Sequence, residues 1–275
     1  MPDTFSRYTI NDDGTLAANP VTSTATFAAQ YPFSLTPNGQ FAIVPYGNTV
    51  SSYSINPAGT FTLVDNLPAG RNACTVAIDP TGRFAYVGNF QDSTISQYAI
   101  SSTGVLTAIG TLSTSPIFVY FLQFSPQGFL YSAGCCALGA VSEYAMDSSS
   151  GELSLVGNFV SGDSVGTEPI SFAFNPSGSF VYAVNSSTTI ADFSLSSFTV
   201  DSSTGTLADN GPDIINGYNL VVEVDPSGKF AYAMSPNLIS QFTISDSGTL
   251  VANGSTALSG AVTGIAGGTL VFAQK

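Results

Sequence analysis

Short apolar runs of four to seven residues alternate with polar joints along most of the chain. In one stretch the runs are "TVAID" (75–79), "FAYVG" (84–88), "TISQYAI" (94–100) and "LTAIGTL" (106–112). Pro80-Thr81-Gly82, a variable polar loop and Ser102-Thr103-Gly104 separate them. β-Branched and aromatic residues fill the runs and turn formers fill the joints, so each run is predicted as a strand and each joint as a chain reversal. The second run is apolar almost without alternation, as in "FAIV", "FAYV", "FVYAV" and "FAYAM". Such a strand needs protein against both of its faces.

The four-run pattern recurs. Pro-x-Gly joints begin at Pro37, Pro80, Pro126, Pro176 and Pro226, at spacings of 43, 46, 50 and 50 residues. An aromatic in a Ser/Thr-rich run follows at Tyr8, Tyr53, Tyr98, Tyr144, Phe198 and Phe242. A turn glycine comes next, at Gly14, Gly59, Gly104, Gly151, Gly205 and Gly248. Four antiparallel strands in a unit of about 40–50 residues, covered on both faces by neighbouring copies, is the pattern of a β-propeller blade. The prediction is an all-β, six-bladed β-propeller forming a single domain over residues 1–275. Full blades are expected near 32–67, 75–112, 121–160, 171–209 and 221–254. A closing blade takes its third and fourth strands from about 4–20 and its first and second from about 262–274, which removes open sheet edges.

Composition narrows the function. Only 8% of residues are charged, and 5 Lys and Arg against 18 Asp and Glu give a net charge of -13, which repels phosphate backbones and anionic membranes. Nucleic acid is not an expected partner, and no apolar run is long enough for membrane insertion. Scarce lysine with abundant Ser, Thr, Gly and Asn points to a secreted or cell-surface protein whose leader is not part of this chain. The chain has no histidine, which removes Ser-His-Asp and Cys-His sites and most zinc and copper sites. Cys74, Cys135 and Cys136 define no disulfide framework, and the adjacent pair, with no basic neighbour to lower a thiol pKa, is assigned no catalytic role. Acidic turns such as "NDDGT" (11–15) and "DSSTG" (201–205) lack the ligand spacing of a calcium loop and read as Asx turns. Neither a metal nor a cofactor is expected. Asp79, Asn175 and Asp225, each before a turn proline, read as turn-stabilising residues.

The phrase P-x-G-[RK]-F-A-Y-V, seen at Pro80–Val87 and followed by "TISQYAI" and Gly104-Val105-Leu106, resembles the lactonase-like, YVTN-type propeller superfamily. That superfamily includes the bacterial propeller phosphogluconolactonases and muconate cycloisomerases. The resemblance runs through every blade and implies the propeller fold, while a fold alone leaves the chemistry open. Enzymes of the group are typically seven-bladed and are associated with a His, an Arg and a Glu near the mouth of the central channel. Matched position by position, "ACTVAIDP" puts Thr75 at a histidine slot, "PISFAFNP" puts Ile170 and Ser171 at Arg and His slots, and "YAVNSS" puts Ser186 at the glutamate slot. The resemblance therefore implies a propeller without that acid, base and anion clamp.

Candidate ligand-binding residues lie where the first strands begin and the second strands end, since both loop types open on one face. They are Arg71, Asn72, Thr75, Asn89, Asp92, Glu168, Ser171, Asn185, Tyr218 and Glu223. Glu223 shares the innermost-strand slot of Ala77, Gln123 and Ala173 and is expected to face the channel. The leading expectation is a non-catalytic propeller that binds a small molecule, glycan or protein through this top face. The alternative is a lactone or ester hydrolase with a His-free carboxylate and arginine site.

Overall fold

The structure, a computed structural model, describes residues 4–7, 21–24, 33–115, 117–135, 140–160, 167–187, 194–211, 214–215, 221–235 and 238–257. Every regular element among them is a strand. β1 (Thr4–Arg7) and β2 (Val21–Thr24) pair with each other. The first sheet holds β3 (Ser34–Leu35), β4 (Phe41–Tyr46), β5 (Thr49–Ile55) and β6 (Phe61–Pro68). The second holds β7 (Ala73–Ile78), β8 (Phe84–Asn89), β9 (Thr94–Ile100) and β10 (Leu106–Ser113). β11 (Phe118–Phe124), β12 (Leu130–Cys135), β13 (Ala140–Met146) and β14 (Leu153–Val160) form the third. The fourth is built from β15 (Thr167–Phe174), β16 (Phe180–Ser187) and β17 (Ser194–Val200), with an outer strand broken into β18 (Leu207–Asp209) and β19 (Ile214–Ile215). β20 (Val221–Val224), β21 (Phe230–Met234), β22 (Leu238–Ile244) and β23 (Leu250–Ala257) complete the fifth.

The expected all-β character and antiparallel four-strand units are present. Each unit turns where the sequence put a joint. Asp79 accepts the amide of Phe84 at 2.7 Å, Asn175 that of Phe180 at 2.9 Å and Asp225 that of Phe230 at 2.9 Å, which fixes the Pro-x-Gly reversals. Neighbouring sheets then pack in chain order, β4 on β7, β7 on β11, β12 on β15 and β15 on β20. The core is accordingly divided into layers between sheets. One layer joins Tyr86 and Ile95 to Val119 and Leu130, and another joins Tyr182 and Val184 to Val222 and Phe242. The second strand lies at the centre of this packing, and β8 is buried from end to end.

A recurrent contact joins each sheet to the next. Phe84 lies over Gly151, the turn glycine between β13 and β14, and Tyr86 on the same face donates its hydroxyl to the Gly151 carbonyl at 2.7 Å. Phe129 and Tyr131 meet Gly205 in the same way, and Phe180 and Tyr182 meet Gly248. In the first sheet Ile43 takes the tyrosine position, and Ser52 on the adjacent strand supplies the hydroxyl, donating to Gly104 O at 2.5 Å beneath Phe41. Gly151 has φ +78°, and a Cβ there would also overlap the Phe84 ring, so both conformation and packing demand glycine.

At the N-terminus the fourth strand was expected to begin near residue 15, whereas β2 lies at Val21–Thr24. Thr4 pairs with Thr24 and Arg7 with Val21, and the residues between the two strands lie outside the described ones. The closing strands expected near 262–274 lie outside the described residues.

Candidate functional site

The top face is shaped by irregularities in the innermost strands. Pairing slips by one residue between Ala73 and Thr75, between Val119 and Phe121 and between Pro169 and Ser171. Cys74, Tyr120 and Ile170 are the extra residues of these bulges, and a bulge re-aims the side chain it carries. Cys74 turns inward, where burial pushes its thiol up to about 12 and its Sγ sits 3.3 Å from Val119 O. Tyr120 turns out and is 48% exposed.

Beside Tyr120 stands the loop that leaves β8. Phe90 on that loop packs against Tyr120 at 4.5 Å between ring centroids and against Phe118 at 5.2 Å. Two residues on, Asp92 accepts the backbone amide of Arg71 at 2.7 Å and its Nε at 2.6 Å. These hydrogen bonds hold the Asp92 carboxyl below the usual aspartate range. Backbone bonds from Phe90 to Asn72 O (2.9 Å) and from Gln91 to Arg71 O (3.2 Å) extend the ladder beyond the strands. Asn72 and Ser93 take left-handed φ values of 55° and 51°, and asparagine tolerates this better than most residues. An open depression of about 580 Å³ adjoins Asp92, lined also by Gly70, Thr94, Ser96, Tyr98 and Thr111. The arrangement offers an aromatic face, a guanidinium fork and a carboxylate within one loop cluster.

The ten sequence candidates divide. Arg71, Asn72, Asn89 and Asp92 share this cluster, but Asn89 is fully buried. Its Nδ2 donates to Thr94 Oγ1 at 3.0 Å and Ser96 Oγ at 2.9 Å, and its Oδ1 receives the Gly70 amide at 3.0 Å. Asn185 repeats the clasp in the fourth sheet, donating to Ser194 and Ser196 at 3.1 and 2.6 Å. Thr75 and Ser171 occupy equivalent positions after their bulges, each 4% exposed, and Ser171 Oγ accepts the Val222 amide at 3.3 Å. Glu168 pairs with Ser186 through the β15 backbone, and its side chain is outside the described atoms, as is all of Tyr218.

Glu223 was expected to face the channel, and its register gives its sheet face. It lies opposite Tyr232, as Ala77 lies opposite Tyr86 and Ala173 opposite Tyr182, and those slots pack against the following sheet. Strand alternation therefore places Glu223 on the same sheet face as Tyr232. Burial pushes Glu223 up to about 7. No group of three or more potential metal ligands occurs among the described residues. Phe90, Phe118 and Tyr120 were not among the candidates. An aromatic within the polar loop "GNFQD" was the available signal, whereas the bulge that exposes Tyr120 leaves none in "PIFVYFLQF".

Antiparallel four-stranded sheets packed one on the next in chain order define a β-propeller. The chain belongs to the lactonase, 7-bladed beta-propeller family, which it matches over residues 4–115 and 121–224. A solved protein from Lactobacillus plantarum is similar with a TM-score of 0.74 at 17% identity, over 91% of this chain and 77% of that one. A protein from Bacteroides uniformis with the provisional name 6-phosphogluconolactonase gives 0.73 at 19% identity, over 92% and 78%. A periplasmic gluconolactonase of Pseudomonas aeruginosa gives 0.56 at 14%, over 90% of each chain. At these identities the likeness concerns the fold. No curated protein matches the chain.

Proposed function

We propose that this protein is a binding member of the lactonase propeller family, taking a small polyhydroxylated ring on the Phe90–Tyr120 face beside Arg71 and Asp92, without hydrolysing it. The observation that carries this reading is the burial of Thr75 and Ser171 at slots where the family resemblance places ionisable groups. A buried hydroxyl with no base beside it is neither an acid nor a base near neutral pH. Arg71 is held by Asp92 in an ion pair. Aromatic rings next to a guanidinium fork suit a ligand with an apolar ring face and a polar edge. A glycan end or a protein loop of that character is accommodated by the same features. The reading extends to a six-bladed ring closed two plus two by the termini and to an exported protein.

Family membership favours a second reading, hydrolysis of a lactone from Arg71 and a carboxylate. Calorimetric titration with aldonolactones, aldonic acids, glycans and peptides, run beside initial hydrolysis rates, separates the two. Saturable binding with background hydrolysis supports the first reading. Saturable turnover abolished by Arg71→Ala overturns it.

A further inference from the structure

Before the third-strand aromatic of the five sheets stands a polar residue, Ser52, Gln97, Glu143, Ser197 and Gln241 in turn, and the first three reach across to the next sheet. The neighbouring seams show what this position receives. Gln97 Oε1 accepts the amide of Leu153, two residues beyond the turn glycine of the third sheet, at 2.8 Å. In the first sheet Asp65, paired opposite Ser52, accepts the corresponding Leu106 amide at 3.0 Å. Glu143 has the position of Gln97 at the next seam. It is fully buried, and neither carboxyl oxygen has a hydrogen-bond partner. Gly205 approaches so closely that a Cβ there would overlap Oε1.

We propose that Glu143 is a proton-operated clasp between the third and fourth sheets: neutral, it packs beneath the Asp201–Thr206 turn, and release of its proton to solvent loosens that seam. A carboxylic acid brings a donor as well as an acceptor, whereas a carboxylate only accepts and requires donors or a cation when buried. The surroundings offer the anion little. From β12 comes Tyr131, whose hydroxyl is directed to Gly205 O and whose own ionisation is opposed by burial and by Glu143. Gly157 stands opposite on β14, and Phe129 covers the turn. The turn itself carries Asp201, an anion held at about 2 by Ser203 and Thr204. Among these described neighbours no group is cationic. Burial accordingly pushes Glu143 up to about 7, which brings its proton release into the neutral range.

Glu143→Gln keeps the shape and cannot ionise. Melting of the two proteins is compared from pH 4 to 9. The folded protein binds the proton more tightly than the unfolded chain, so stability is full below about 4.5, falls as pH rises and levels above about 7. The unfolding equilibrium of wild type should rise relative to the variant on the order of a hundredfold across that window. Glu223 is present in both proteins and cancels. Parallel curves would overturn the clasp. Hydrogen exchange in the wild type tests it without a variant, using the Leu153 amide at the Gln97 seam as the internal standard. Protection of the Leu207 amide relative to Leu153 should fall between pH 5 and 8, and a constant ratio refutes the proposal.

Discussion

Tyr86 donates its hydroxyl to the carbonyl of Gly151 at 2.7 Å, across the seam from the second sheet to the third. Both groups are remote from water, so removing the donor leaves a buried carbonyl without a partner, which costs about 1–3 kcal/mol. Tyr86→Phe should therefore lower the melting temperature by several degrees, at about 2–4 °C per kcal/mol for a chain of this size. Differential scanning calorimetry measures this, and an unchanged midpoint would mean that water replaces the hydroxyl.

The same turn allows a coupled test. Gly151→Ala meets a left-handed backbone and the Phe84 ring together, so it should destabilise by well over about 1 kcal/mol. Adding Phe84→Ala relieves the overlap but not the backbone strain. The double variant should thus lose less than the sum of the singles, as contacting residues do. Strict additivity in urea unfolding would separate the two residues.

The proposed six-bladed closure makes a prediction about this same contact. Phe230 and Tyr232 on β21 stand where Phe84 and Tyr86 stand on β8, and the next turn glycine in a six-bladed ring is Gly14. Phe230→Ala and Gly14→Ala should each lower the melting temperature and should couple in a double-mutant cycle. Independent effects would favour another neighbour for the fifth sheet.

Much of this architecture is legible in the sequence because a repeat must satisfy the same neighbours at every copy. Pro80-Thr81-Gly82, Phe84, Tyr86, Tyr98 and Gly104 each serve a contact that recurs around the ring. The site is less legible for the same reason. Asn89 and Asn185 look like ligand contacts because they are polar and close a strand, yet both tie the second strand to the third. Tyr120 looks like another strand residue, and a one-residue slip in pairing turns it outward. For Glu223, strand position alone does not give the direction of the side chain; its pairing opposite Tyr232 adds the sheet face.

At the site, Tyr120→Ala should weaken ligand binding at least tenfold while leaving the melting temperature nearly unchanged, since the ring is 48% exposed. Asp92→Asn should free Arg71 from its ion pair, and affinity for an anionic ring acid should then increase relative to the neutral lactone. Titration calorimetry with both ligands measures the ratio. Equal affinities in wild type and variant would remove Arg71 from the site.

The pH of maximum stability should lie unusually low, near 4 to 4.5. Asp147 and Asp201 are held at about 2 by hydrogen bonds from Ser149 and Ser203, so their contribution is present above about 3.8 and lost on further acidification. Glu143 and Glu223, raised to about 7, act oppositely, and their contribution is lost as pH rises from about 4.5 through 7. No histidine titrates in the neutral range. Thermal melts from pH 2 to 9 should give a dome on the acid side, and a plateau from 5 to 8 would contradict these shifts.

Because Phe84 and Tyr86 serve the turn of the following blade rather than their own, each blade has a donor side and a receiving side. Such a contact is head-to-tail, and head-to-tail contacts end only when the last unit meets the first. On the closed ring proposed above, a molecule prevented from closing would carry Phe230 and Tyr232 at one end and an uncovered turn at the other, the two halves of the contact that joins its blades. Its failure would not be simple unfolding but growth, with one molecule's last blade capping another's first, so that end-to-end fibres lengthen with protein concentration.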